Sequence, residues 1–112
     1  TNEVVKGGTA LIQQQSQNLF RSMFFCLIHS LEDNGYDYID DIENIKEQDT
    51  GFYSYLKDFG IGAKYSIALY SAQKNIIGFL TIDFSNKDDA DIKEVINCLQ
   101  DKKIKIETLL NL

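Results

Sequence analysis

Two apolar segments of strand length lie close together in this chain and constrain its fold more than any other feature. The first runs from Gly62 to Tyr70 and the second from Ile76 to Phe84, with a polar, turn-forming connection of five residues between them. The first segment alternates between an apolar and a more polar face, whereas both faces of the second are largely apolar. This pattern predicts a β-hairpin at the centre of a sheet, with its second strand covered on both sides.

Helical spacing of apolar residues predicts three helices around the hairpin. The first covers about residues 16–33 and ends at Asn34-Gly35, where a left-handed stop is tolerated. A short helix covers residues 51–58, with Asp49 or Thr50 as its cap and Gly60 as its end. The sequence from Ser85 to Asp88 has the form of a capping box, which opens a last helix that reaches Leu110.

The remaining segments read as short strands and loops. Residues 36–42 are predicted to form a short strand, and residues 43–48 a loop or a single turn. Glu3-Val4-Val5 is a short strand-like piece near the start of the chain. Residues 101–106 lose the helical register, so they either continue the last helix on a shifted face or form a terminal strand.

Size and charge limit the class of protein. A chain of 112 residues with 44% apolar residues predicts a single domain, residues 1–112, with a core of its own. A net charge of -6 argues against nucleic acid and against an anionic membrane surface as partners. Because the chain opens at Thr1 without a Met, we expect a piece of a longer protein, with membrane contact only through a segment upstream. A cytoplasmic location is favoured, and the periplasmic face of an anchored protein is the alternative.

Residues for catalysis or metal binding are sparse. The single histidine, His29, follows Cys26 by three positions on the first helix, but no third residue orients the pair. Cys26 and Cys98 both have apolar neighbours at helical spacing, which predicts buried free thiols. An acidic cluster (Asp37, Asp40, Asp41 and Glu43) lacks the glycine and distal glutamate of an EF-hand loop and reads as solvated surface. We therefore expect no enzyme, no metal and no cofactor.

A small-molecule pocket is the remaining candidate site. Tyrosines concentrate between the first helix and the hairpin, and aromatic walls with a few polar groups are typical of ligand pockets. The candidate lining residues are Tyr38, Asp40, Tyr53, Tyr55, Lys64, Ser66 and Tyr70. The alternative, which we favour, is that these tyrosines pack in the core and at its rim with their hydroxyl groups in water.

The hairpin and the helix after it also carry a family resemblance. Gly62-Ala63-Lys64-Tyr65-Ser66-Ile67-Ala68 leads into an apolar strand, and Ile77-Gly78-Phe79-Leu80-Thr81-Ile82 forms the next one. This order resembles the end of GAF domains, and the resemblance covers roughly residues 16–110. It is also similar to GAF-like domains that bacteriophages attach to a membrane anchor, including holin-like lysis proteins.

The resemblance implies an α+β fold of GAF/PAS-like type, with a mostly antiparallel sheet and flanking helices. A full GAF domain begins with a helix and another strand for which this chain has no room, so the sheet would be incomplete or closed by a partner chain across an open edge. The function expected first is a non-enzymatic regulatory or protein-interaction module that dimerises or binds another protein. The alternatives are a small-molecule or nucleotide sensor and the soluble domain of a phage holin-like lysis protein.

Overall fold

Three helices and a three-stranded antiparallel sheet make up residues 25–111, the part of the chain that the computed structural model describes. The helices are α1 (Phe25–Asn34), α2 (Thr50–Asp58) and α3 (Ile92–Leu110), and the strands are β1 (Tyr36–Ile39), β2 (Ala63–Tyr70) and β3 (Ile76–Phe84). Two 3-10 turns, Ile42–Ile45 and Lys87–Asp89, lie between them. The predicted α+β class is confirmed.

The ends of the first two helices follow from their local sequences. Gly35 adopts a φ of 81° and donates its N–H to the Leu31 carbonyl at 3.0 Å, which ends α1. Asp49 caps α2 by accepting the Phe52 N–H at 3.1 Å, and Gly60, with a φ of 71°, follows its end. These stops and the Asp49 cap agree with the sequence-based prediction.

The start of α3 differs from the prediction. The Asn86 side chain accepts the Asp88 N–H at 3.0 Å and caps the 3-10 turn, so the capping box predicted at Ser85 does not open the helix. Asp91 caps α3 instead, by accepting the Glu94 N–H at 3.4 Å. Residues 101–106 are helical, which excludes the terminal strand considered from their sequence.

Strand β2 is the centre of the sheet, because the strand order is β1-β2-β3. Ile67 lies opposite Tyr36 on one side and Leu80 on the other. Seven of the eight residues of β2 are buried, whereas β3 exposes Ile76 and Ile77 and only half-buries most of its other residues. Both faces of β3 contribute to a core, Phe79 on one face and Leu80, Ile82 and Phe84 on the other, so the predicted cover on both sides is present in part. The central strand, however, is β2.

The sheet has one core on each face. Helices α1 and α2 pack on the first face, called the α1 face, through Leu27, Leu31, Phe52 and Leu56 against Ile39, Ala68 and Phe79. Helix α3 packs on the second face, called the α3 face, through Val95 and Leu99 against Ala63, Tyr65 and Ile67. Alternate residues of β2 thus serve two different cores, as the alternation of a strand requires.

Both cysteines are free, but neither is buried, so that part of the prediction is wrong. On α1 the buried positions are Leu27 and Leu31, and on α3 they are Val95 and Leu99. A cysteine one position away from a buried residue is turned by about 100° around the helix, which carries it out of the core. The strand-like Glu3-Val4-Val5 and the first part of the predicted first helix lie outside the described residues.

Candidate functional site

The outer edge of β3 has no strand beside it within residues 25–111. In β2, the Ala68 N–H donates to the Gly35 carbonyl at 2.9 Å, so the backbone groups of Ala68 point toward β1. Because these groups alternate along an antiparallel strand, Tyr65 and Ile67 of β2 present theirs to β3. Their partners in β3 include Leu80 and Ile82, and it follows that the backbone groups of Thr81 and Asp83 point outward.

This edge is long and regular. Gly78 to Phe84 pairs residue by residue with Leu69 to Ala63, and the only irregularity is the extra residue Ile77 at the start of the strand. The segment from Gly78 to Phe84 contains no lysine and no proline, and Asp83 is its only charged residue. Natural proteins usually protect an exposed edge with such residues, with a bulge or with a very short strand. Here the protection is limited to the bulge at one end and the single charged residue Asp83.

The opposite edge of the sheet is short and partly filled by side chains. Strand β1 has four residues, and its Tyr36 carbonyl accepts a hydrogen bond from Ser30 Oγ at 3.1 Å. Beyond Tyr36, side chains of α3 take the place of a strand. Lys103 Nζ donates to the Ala68 carbonyl at 3.1 Å, and Glu107 Oε2 accepts the Tyr70 N–H at 2.7 Å.

The lysine and the glutamate of this arrangement also bind each other. Lys103 Nζ lies 2.6 Å from Glu107 Oε2. Burial by itself raises the pKa of the Glu107 carboxyl, but the hydrogen bonds from Lys103 and from the Tyr70 N–H outweigh it and lower the pKa below 4.5. One turn further along, Asn111 Oδ1 accepts the Ala72 N–H at 2.9 Å. This edge of β2 is therefore satisfied by the helix, whereas β3 is the long edge of the described sheet that has no strand beside it.

A partly buried ion pair joins β3 to β2 on the α1 face. Lys64 Nζ lies 3.0 Å from Asp83 Oδ1, and the two side chains are 11% and 29% exposed. Thr81 Oγ1 donates to the same oxygen at 3.3 Å and accepts from Ser66 Oγ at 3.2 Å. The chain of polar groups pairs the charge of Asp83 within the molecule, so the one charged residue of the edge segment has its partner next to it.

An apolar row follows the same edge on the α3 face. Leu80, Ile82 and Phe84 pack against the core that contains Tyr65, but each remains half-buried. Phe84 meets the Tyr65 ring edge-on, with ring centroids 6.0 Å apart. The edge of β3 thus combines outward backbone groups with apolar side chains that α3 covers only in part.

The seven residues predicted to line a ligand pocket do not come together. Lys64 and Ser66 lie on the α1 face, whereas Tyr38 lies on the α3 face, 6.0 Å from the Tyr65 ring. Asp40 accepts a hydrogen bond from the Tyr65 hydroxyl at 2.9 Å. Burial, followed by the Asp40 carboxylate, raises the pKa of Tyr65 to about 12.

The other three predicted residues all pack against the core of the α1 face, but they contact different partners there. The Tyr53 hydroxyl donates to Glu43 at 2.8 Å, the Tyr55 ring is tilted against the Phe59 ring with centroids 4.7 Å apart, and Tyr70 lies under Lys103 Nζ at 4.6 Å. The seven residues therefore lie on both faces of the sheet, and a ligand pocket formed by some of them stays a prediction. Sequence reasoning missed Thr81 and Asp83 as edge residues, although the run of apolar residues on both faces of β3 was visible.

A cleft of about 400 Å³ lies elsewhere, at the end of the sheet near the second 3-10 turn. Its walls combine apolar residues such as Ile42 and Ile61 with the charged residues Asp41, Glu43, Lys57 and Lys87. Lys57 Nζ lies 3.5 Å from Glu43 and Lys87 Nζ lies 3.8 Å from Asp41, so its lysines already have carboxylate partners. Hydrogen bonds and nearby positive charge, led by the Tyr53 hydroxyl, lower the pKa of Glu43.

The residues considered for catalysis or metal binding are also dispersed. His29 lies on the surface of α1, where its Nε2 is 3.1 Å from Asp33. The described residues contain no group of three or more side chains that could hold a metal ion. Helices long and apolar enough to cross a membrane are likewise absent from residues 25–111.

Comparison with known proteins found no matching family model, no matching curated protein and no matching solved structure. The resemblance to GAF domains therefore stays a prediction, which rests on the order of the elements and on the two hairpin segments. The edge of β3 and the polar cleft are the two features of the described structure from which a function can be argued.

Proposed function

We propose that this chain is a non-enzymatic interaction module whose β3 edge pairs with the β3 edge of a second copy. The observation that carries the proposal is the regular edge from Gly78 to Phe84, which lacks lysine, proline and internal bulges. An edge of this kind is a template for another strand, since its outward N–H and carbonyl groups are satisfied by a second chain. Strand pairing would join the two sheets into one.

Two further features support a second copy as the partner. The half-buried row of Leu80, Ile82 and Phe84 would gain cover from the same residues of the other chain. Charge does not oppose the approach locally, because Asp83 is paired with Lys64 at 3.0 Å. Each copy carries a net charge of -6, so a contact segment without an unpaired charge is the favourable place for two such chains to meet.

The outward N–H of Thr81 provides the test. Thr81→Pro removes this donor but leaves the ladder to β2 intact, since proline is tolerated in a strand where its nitrogen faces solvent. Thr81→Ala is the matched control, because it loses the same side-chain contacts with Ser66 and Asp83 but keeps the backbone N–H. Sedimentation equilibrium should show dimers of the parent and of Thr81→Ala, and a Thr81→Pro protein that is monomeric at the same concentration.

Two measurements keep this test decisive. Circular dichroism must show that Thr81→Pro retains the spectrum of the parent, and hydrogen exchange in the parent must slow at the Thr81 and Asp83 amides as concentration rises. A parent chain that remains monomeric at the highest attainable concentration would contradict the proposal. Equal association of the proline and alanine variants would also contradict it.

The polar cleft supports a second candidate function, a small-molecule sensor. Its volume of about 400 Å³ lies within the range of ligand sites, and Lys57 and Lys87 could exchange their carboxylate partners for an anionic group. Thermal unfolding with a panel of nucleotides and small carboxylates measures this directly, because a ligand of the folded state raises the melting temperature. A shift that disappears in Lys57→Met with Lys87→Met would support the cleft, and no shift across the panel would count against it.

A further inference from the structure

We infer that the two-fold axis of the proposed pair passes through Thr81 of both copies, which fixes the register of the contact. This inference rests on the proposed pairing of β3 edges. In an antiparallel pair with two-fold symmetry, residues equally far from the axis lie opposite each other. Thr81 is the midpoint of the regular segment from Gly78 to Phe84, so this axis pairs the whole segment with its copy.

Neighbouring axes pair the segment less completely. An axis through Leu80 would place Phe84 opposite Ile76, across the bulge at Ile77. An axis through Ile82 would place Gly78 opposite Asn86, beyond the end of the strand. Both alternatives leave outward groups of the regular segment opposite irregular backbone, where the ladder of hydrogen bonds is interrupted.

In the register centred on Thr81 the apolar row meets apolar residues or glycine, while on the α1 face Asp83 lies opposite Phe79 of the other copy. On the α3 face, the buried Gly78 lies opposite Phe84 of the other copy, and Leu80 lies opposite Ile82. On the α1 face the two Thr81 side chains meet, and threonine pairs are among the favourable cross-strand pairs. Every residue of the apolar row thus faces an apolar residue or the glycine.

Electrostatic repulsion selects against a shift toward the end of the strand. An axis through Asp83 would place the two carboxylates directly opposite, about 5 Å apart, where like charges destabilise a sheet. With the axis at Thr81 they are separated by four strand positions, about 13 Å along the strands. This exceeds the screening length of about 8 Å at physiological salt, so their repulsion is small.

Cysteine cross-linking in the full chain tests the register. The parent for this experiment carries Cys26→Ser and Cys98→Ser, because both native thiols are exposed and would form disulfides themselves. Single cysteines are then introduced as Leu80→Cys, Thr81→Cys and Ile82→Cys, and each protein is oxidised mildly and separated on a non-reducing gel. Residues on the axis lie about 5.5 Å apart between Cα atoms, within reach of a disulfide, whereas residues one position away are about 7–8 Å or more apart.

The expected result is that Thr81→Cys forms covalent dimers roughly tenfold faster than the other two variants. Faster cross-linking of Leu80→Cys or Ile82→Cys would overturn the register but leave the proposed pairing in place. Sedimentation of the cysteine-free parent separates the two failures, since a parent that does not associate overturns the pairing and the register together. Equal, slow cross-linking of all three variants in an associating parent would place the contact outside β3 and overturn both as well.

Discussion

Replacing Asp83 by alanine should destabilise this protein more than replacing its partner Lys64 by methionine. The Lys64 side chain is 11% exposed and that of Asp83 is 29% exposed, with 3.0 Å between Nζ and Oδ1. Removal of Asp83 leaves an ammonium group that is largely shielded from water and has lost its carboxylate. Removal of Lys64 leaves a carboxylate that water still reaches and that keeps the Thr81 hydroxyl as a donor at 3.3 Å.

The size of the effect lies between two limits. Breaking a fully buried pair costs about 3–5 kcal/mol, and an exposed pair contributes about 0–1 kcal/mol. Because Asp83 is partly exposed, we expect a loss of about 2 kcal/mol in the free energy of unfolding for Asp83→Ala. For Lys64→Met we expect about 1 kcal/mol or less, since the methionine keeps most of the apolar stem of the lysine.

Urea unfolding followed by circular dichroism, at pH 7 and one protein concentration, measures these differences. The double variant, Lys64→Met with Asp83→Ala, should lose about 1 kcal/mol less than the sum of the single losses, because neither charge is left without its partner. The reasoning would be refuted if Lys64→Met cost as much as Asp83→Ala. Strict additivity in the double variant would refute it too.

Three further predictions concern other parts of the molecule. The pKa of the Glu107 carboxyl is lowered in the folded protein. The carboxylate therefore stabilises the fold fully above its unfolded pKa of 4.5 and loses this effect as the pH falls through the folded value. Glu107→Gln should cost about 1–2 kcal/mol at pH 7 and much less near pH 3. Urea midpoints at both pH values check this, and an undiminished penalty in acid would mean that the ion pair with Lys103 is not the cause. Gly62→Ala should cost about 1–3 kcal/mol, because its Cβ would lie 2.7 Å from the Ser85 carbonyl oxygen. The control Gly51→Ala has nothing within 4 Å of its Cβ and should be nearly neutral when both variants are compared by thermal melts. Dimerisation measured by sedimentation should strengthen as sodium chloride is added, since salt screens the repulsion between two chains of net charge -6, and weakening by salt would reveal attractive charges across the contact.

The sequence predicted the elements better than their arrangement. The strands at residues 63–70 and 76–84, the short helix after Asp49 and the stops at Gly35 and Gly60 all follow from local rules of composition and capping. The strand order follows from no local rule, because β1 could have paired with either strand of the hairpin. Pairing with β2 made β2 the centre of the sheet, and this placed β3 at the edge.

The residues predicted to line a ligand pocket lie on both faces of the sheet for a related reason. Alternation along β2 already separates Lys64 and Ser66 from Tyr65, so residues close in sequence lie on opposite faces of the sheet. Tyr53 and Tyr70 then depend on the positions of α2 and α3, which composition does not specify. The exposure of Cys98 beside the buried Leu99 shows the same limit, since a single helical position decides between core and solvent.

The composition of β3 is the strongest link between the sequence and the proposed pairing. Edge strands usually carry charged residues that discourage pairing, but β3, which packs against a core on each face, is apolar over most of its length. Its charged residue is the exception, and Lys64 neutralises it. In the single chain this strand is at the edge, whereas in the proposed pair the two copies of β3 become the central strands of a six-stranded sheet built from two sheets of three. The strand therefore has the composition of the position that it would occupy in the pair. The cross-linking of Thr81→Cys can establish or exclude this pair.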